Sequence, residues 1–245
     1  MQIILLAEIG LFLLVWATSS YKILPNPVEV FNAFRHLWMV EGLGQELITS
    51  LWFNVQAILL TTVISLIFSY LSVMPVFRPI VQALSKGRFL SLVGFSLVFT
   101  VMLGGGHAVK LAMLVFGMSV FFITSMASVV LDIPRSDFDF ARTLHMGEWK
   151  VVWEVVVLGT ADRAFEVMRQ NAAIGWMMLT MVEGIVRSEG GVGVLLLNVN
   201  KYLNLPEVFA IQIAILIVGL LQDSIIGLVR RTICPYAYIT TEQSK

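Results

Sequence analysis

Long apolar runs dominate this chain and decide which solvent it must live in. Residues 51–74, 109–131 and 207–229 read as strings of Leu, Ile, Val, Phe, Ala and Met with small polar residues between them. A helix needs about 20 such residues to cross a hydrocarbon core about 30 Å thick. In lipid a spanning segment must satisfy its own backbone hydrogen bonds, which leaves helices or a closed barrel. A barrel would show stretches of about ten residues in strict alternation, and the sequence has none. Composition agrees with helices in a bilayer: 13% of residues are charged, where a soluble domain carries about 25%, and the mean hydropathy is +0.88. The fold class read from this is all-α, a polytopic membrane protein.

Six segments qualify as spans, over residues 3–18, 51–74, 89–103, 109–131, 166–186 and 207–229. The opening run has no basic residue ahead of it, so it is expected to be a retained first span rather than a cleaved signal. Orientation follows from Lys and Arg in the loops. With six spans, Arg78, Lys86 and Arg88, then Arg135, Arg142, Lys150 and Arg163, then Arg230, Arg231 and Lys245 all fall on one side. That side is expected to be the cytoplasm, with both termini in it. If the short third segment failed to cross, the later loops would swap sides. The chain is read as one transmembrane domain over residues 1–245, with a cytoplasmic loop at residues 132–165 inside it. Turn signals fit this map. Pro27 suits the first turn of a short helix, Pro75 and Pro79 break the second span, and Gly104 to Gly106 make a tight turn before the fourth.

Groups that do chemistry are scarce. His36, His107 and His145 are far apart in sequence and lie outside the spans, so no HExxH pair or similar metal motif can be built from them, and no GxxxxGK[ST] phosphate loop occurs. No catalytic residue, metal ligand or directly bound cofactor is assigned. Net charge is zero, so nothing suggests nucleic acid. Ionisable residues near spans are functional candidates by default. Glu8 can snorkel to the interface, Lys110 is expected to anchor the outer end of the fourth span, and Glu183 is expected to be a helix-end carboxylate bonded to a neighbouring loop. The methionines of the fourth and fifth spans read as adaptable packing.

Residues 139–159, DFARTLHMGEWKVVWEVVVLG, are polar and helix-like between two apolar runs. Taken as a helix over 135–160, Phe138, Ala141, Leu144 and His145 share a face, and Trp149, Val152, Trp153 and Val156 continue the stripe. A bend is expected at Met146–Gly147. On pattern alone, a helix lying on the membrane surface and a helix that docks a partner read equally well.

The stretch from Asp139 to "GVGVLL" resembles the cytoplasmic loop and following span of binding-protein-dependent ABC transporter permeases, especially the nitrate/sulfonate/taurine class. That family has an EAA loop, here matched by Asp139, Ala141, Arg142, Thr143 and Leu144, with Trp149 and Val151 continuing it. Arg169, Trp176 and Glu183 resemble the family's next span, and the glycines at 190–193 its Gly-Leu-Gly segment. "ILPNPVEVFNAF" resembles an early segment, and "VFAIQIAILIVGLLQDSIIGLVRR" the last span. His145 stands where the family usually has Gly, Phe140 and Val182 each replace an Ala, and Leu158 replaces a Pro. A side chain at 145 meets backbone angles that Gly tolerates better.

The resemblance implies a type I importer permease in a bacterial cytoplasmic membrane. Asp139, Ala141, Arg142, Thr143, Leu144, His145, Gly147 and Trp149 would form the loop that couples to an ABC ATPase subunit. It also implies an extracytoplasmic substrate-binding protein and a second permease copy as partners, with ATP used by the partner ATPase alone. A non-transporting scaffold with a degenerate coupling loop, or an ATP-independent transporter, are the alternatives. The residues of the substrate path are not assigned.

Overall fold

The computed structural model describes residue 16, residues 25–74 and residues 76–235. The expected first span (apart from Trp16), Glu8, Lys22, Pro75 and Lys245 lie outside the described residues, and so do both termini. Every regular element among the described residues is helical.

Helix α1, Pro27–Met39, starts at the proline that suits a first turn, and the Glu29 carboxylate reaches back to accept from the Asn26 N–H at 3.0 Å. After a left-handed Gly42 the chain enters α2, Leu43–Leu71. Then come α3, Arg78–Lys86, and α4, Leu92–Leu103. Helix α5 is Gly106–Leu131, α6 is Arg135–Thr143, and α7 is Glu148–Val151, which widens into a π-helix over Val152–Leu158. The last three are α8, Ala161–Ile185, α9, Val192–Lys201, and α10, Leu205–Ile233.

Three of these, α2, α5 and α10, are long and apolar enough to cross a membrane. They match the second, fourth and sixth expected segments, and each extends past the expected bounds at one end or both. The third segment differs. It is expected as a span over 89–103, but Arg78–Phe89 and Leu92–Leu103 meet at 110°. The break falls at Leu90 and Ser91, both extended, and the 12 residues of α4 cover only roughly 18 Å. Helix α8 is where the fifth span is expected, but it begins earlier and carries Asp162, Arg163, Glu166 and Arg169 in its first turns. Between Arg169 and Glu183 its uncharged stretch is roughly 20 Å long, so its length and composition do not place it with the other three.

The bundle centre is α2 against α5 and α5 against α8. Phe53, Leu114, Met118, Trp176 and Leu179 fill it. At one end Leu37, Leu43, Val192 and Ile211 bring α1, α2, α9 and α10 together. At the other, Phe122, Met126, Val156 and Val167 root the π-helix on α5 and α8. Burial here is a matter of close fit more than of escape from water, since lipid is as apolar as Leu. Gly117 and Gly175 allow it: a Cβ on Gly175 would lie 2.5 Å from Asn54 Oδ1, and one on Gly117 would lie 2.9 Å from Met178 Sδ.

Candidate functional site

The segment expected to couple is two short helices and a turn. Helix α6 follows Pro134 and carries Asp139, Ala141, Arg142 and Thr143, and the turn Leu144–Gly147 leads into α7 with Trp149. The turn is closed by the backbone, with His145 N–H donating to Arg142 O at 2.9 Å and Lys150 N–H to Gly147 O at 2.8 Å. Thr143 Oγ1 donates to Phe140 O at 2.6 Å. Arg142 spans the turn: its Nε and Nη2 donate to the two oxygens of Glu148 at 3.1 and 3.3 Å, and Asp139 lies 3.6 Å away on its own helix. The hydrogen bond from Arg142 to Glu148 and the charge of that carboxylate push the guanidinium above its ordinary range.

The structure corrects the single apolar stripe. Ala141, Val151 and Val156 are buried, whereas Leu144 and Trp153 are more than half exposed and Trp149 is 77% exposed. A continuous helix would have kept them together; the turn at 144–147 and the wider π-helix rotate them apart. The bend falls where expected, but the strained residue is His145 at φ +55°, in the left-handed region that costs a non-glycine residue. Gly147 has φ −63° and does not need to be Gly. Beside the turn a cleft of about 450 Å³ opens between α6 and the π-helix, lined by Asp132, Asp137, Phe140, Leu144, Glu154 and Arg163.

A second constellation lies at the far end of the bundle. Glu183 on α8 is fully buried, with Lys110 Nζ 3.1 Å from its Oε1. Ser50 Oγ donates to the same oxygen at 2.8 Å, and the Gly193 N–H donates to Oε2 at 2.8 Å. Lys110 also donates to Gly190 O at 2.9 Å and sits 4.0 Å from the Phe53 ring centre. Ser50 in turn accepts from the Val192 N–H at 2.9 Å, and Glu46 accepts from the Gly191 N–H. Glu183 therefore bonds a loop as the sequence suggested. Lys110 lies near the start of α5, as expected, but it is buried in the same cluster. The glycines are required: a Cβ on Gly191, at φ +111°, would lie 2.1 Å from Glu183 Oε1, and one on Gly193 would lie 2.3 Å from Thr180 O.

Arg169 pairs with Asp223 of α10 at 2.5 Å, and Trp176 Nε1 donates to Gln222 Oε1 at 2.7 Å. Arg230 of α10 is held by Asp162 at 2.7 Å and by Glu166. The sequence reading missed Glu148, Glu46 and Ser50. Glu148 had a weak signal, an acid just beyond the turn from a base; the other two had none, since their partners lie more than 130 residues away.

The eight residues expected in the coupling loop thus stand together on one helix–turn–helix segment with exposed Leu144 and Trp149, and Glu183 with the 190–193 glycines forms a separate, closed cluster. Among the described residues this architecture defines a helical membrane protein. The chain matches no protein-family model and no curated protein.

Proposed function

We propose that this chain is the membrane-spanning subunit of an ATP-driven ABC importer, which forms the substrate path and couples it to a separate ATPase. One observation carries the reading. Between two long helices stands a short, polar element, rooted by Val151 and Val156 and clasped by Arg142 and Glu148, that exposes Phe140, Leu144 and Trp149. A force-transmitting contact needs such an element: its base must be fixed in the bundle and its tip free to seat in a partner. The order of the similar sequence segments along the chain supports the same reading.

On this proposal the EAA-like residues Asp139, Ala141, Arg142, Thr143, Leu144, His145, Gly147 and Trp149 seat in the ATPase, and ATP hydrolysis belongs to that partner. Residues 3–18, α2, the bent α3–α4 pair, α5, α8 and α10 are the six passes, with both termini in the cytoplasm of a bacterial cell. A second copy completes the path as a homodimer, and a substrate-binding protein delivers the substrate from outside. His145 favours one other reading, a scaffold that holds the ATPase without turnover, because its left-handed backbone marks the departure from the family's glycine.

The test is a pair of substitutions, Leu144→Glu and Trp149→Glu, at exposed positions that leave the fold intact. Association with the ATPase is expected to be lost while the chain still inserts and melts normally. Undiminished association would overturn the proposal; association retained by the unaltered chain without stimulated hydrolysis would favour the scaffold.

A further inference from the structure

The buried face of α2 carries five polar residues among Leu43, Leu47, Ala57 and Ile58. Ser50, Asn54, Thr61, Ser65 and Ser69 have no exposure, and their spacing puts them in one stripe toward α5 and α8. From Ser50 to Ser69 the stripe runs roughly 28 Å, close to the thickness of a hydrocarbon core. Its first member is fully engaged by Glu183 and Val192. Beyond that, Asn54 Nδ2 donates to Gln222 Oε1 at 3.1 Å, but several other polar atoms of the seam lack a partner. Asn54 Oδ1, Thr61 Oγ1 and Ser69 Oγ on α2, Ser119 Oγ on α5 and Asn171 Oδ1 on α8 have no hydrogen-bond partner among the described residues, and all five residues are at least nine-tenths buried.

Other hydroxyls in the bundle are satisfied within their own helix, although Gln56 Oε1 and Thr62 Oγ1 of α2, which are off the stripe, also lack partners. Thr124, Ser85 and Thr100 each donate to the carbonyl one turn back, at 2.7 to 2.9 Å, and the seam hydroxyls do not. The deficit is not a matter of remote atoms. Asn54 Oδ1 is aimed at Gly175 on α8, Asn171 lies one turn away on that face, and Ser65 Oγ donates to Ser119 O at 3.4 Å. Unpartnered polar atoms are costly in a protein interior and more so within a bilayer. The ligand that offers both donors and acceptors in so small a space is water, which in buried sites makes about three such bonds.

We propose that the α2–α5–α8 seam binds internal water molecules, held by Asn54, Thr61, Ser69, Ser119 and Asn171. The inference is independent of any ATPase partner.

Radical footprinting by X-ray radiolysis of the purified, full chain in lipid nanodiscs tests it, with water itself as the probe. Met118 and Met126 both lie in buried apolar clusters and neither has any exposure, but Met118 also lies against Gly175 beside Asn54 and next to Ser119. Met118 is expected to oxidise several-fold faster than Met126. Equal rates, or slower oxidation of Met118, would overturn the proposal. A second reading uses Thr61→Val and Ser119→Ala. Where water is bound, both lower the melting temperature; a rise in both would mean that dry, unpaired hydroxyls had been removed, and would overturn it too.

Discussion

Removing Lys110 should be among the most damaging single changes in this protein. Its Nζ lies 3.1 Å from Glu183 Oε1 with both side chains fully buried. At an effective dielectric of about 20 the attraction across that distance is about 5 kcal/mol. Lys110→Met fills a similar volume but leaves the carboxylate buried without its cation, a change that typically costs about 3–5 kcal/mol. Ser50 and Gly193 still donate to Glu183, so the loss should sit near about 3 kcal/mol. In a chain of this size that lowers the melting temperature by roughly 6–12 °C. Because the cost lies in the orphaned charge, Glu183→Gln in the Lys110→Met background should restore much of it. The assay is a double-mutant cycle on unfolding in mixed detergent micelles, with an expected coupling of about 2 kcal/mol or more. A Lys110→Met loss below about 1 kcal/mol, or a cycle with no coupling, would refute the view that this pair holds the cluster together.

Gly191→Ala should destabilise the same cluster by about 2 kcal/mol or more, because the new Cβ meets Glu183 at a backbone angle that already disfavours it; thermal unfolding reads this. His145→Gly should raise the melting temperature slightly, since relief of the left-handed penalty, about 1–2 kcal/mol, exceeds the added chain entropy of about 0.5–1 kcal/mol; an unchanged or lowered value would mean that His145 has a compensating contact. Arg142→Ala should leave global unfolding unchanged, because its partners are exposed, yet make residues 139–149 more susceptible to limited proteolysis. Trp176→Phe removes the donor to Gln222 and should cost about 1 kcal/mol, seen as a small fall in melting temperature.

Hydropathy sufficed for α2, α5 and α10, because a long apolar run has few alternatives to a helix. Pro27 and the three glycines at 104–106 marked their turns for local reasons of backbone geometry. The sequence was less informative wherever a partner decides the outcome. The 110° break before α4 rests on two extended residues, Leu90 and Ser91, that carry no proline or glycine to announce it. In α8 the acidic and basic residues of the first turns look like a disqualification for burial until Arg230 and Asp223 of α10 are brought against them. Lys110 looked like a span-end anchor since its acceptors, Glu183 and Gly190, are more than 70 residues away. Residues 139–159 were legible as polar and helical with a bend near Met146–Gly147; the turn at 144–147 puts its left-handed residue at His145, where the resemblance expects a Gly, but the outward rotation of Leu144, Trp149 and Trp153 was not legible from the pattern.

The central claim, that residues 139–149 seat in a separate motor, is tested most directly by purifying the tagged chain from its native membrane in mild detergent and identifying stoichiometric partners by mass spectrometry. The account predicts co-purification of an ATPase that carries a phosphate-binding loop, lost on Leu144→Glu. Recovery of the chain alone, under conditions that keep a known ABC transporter intact, would contradict it.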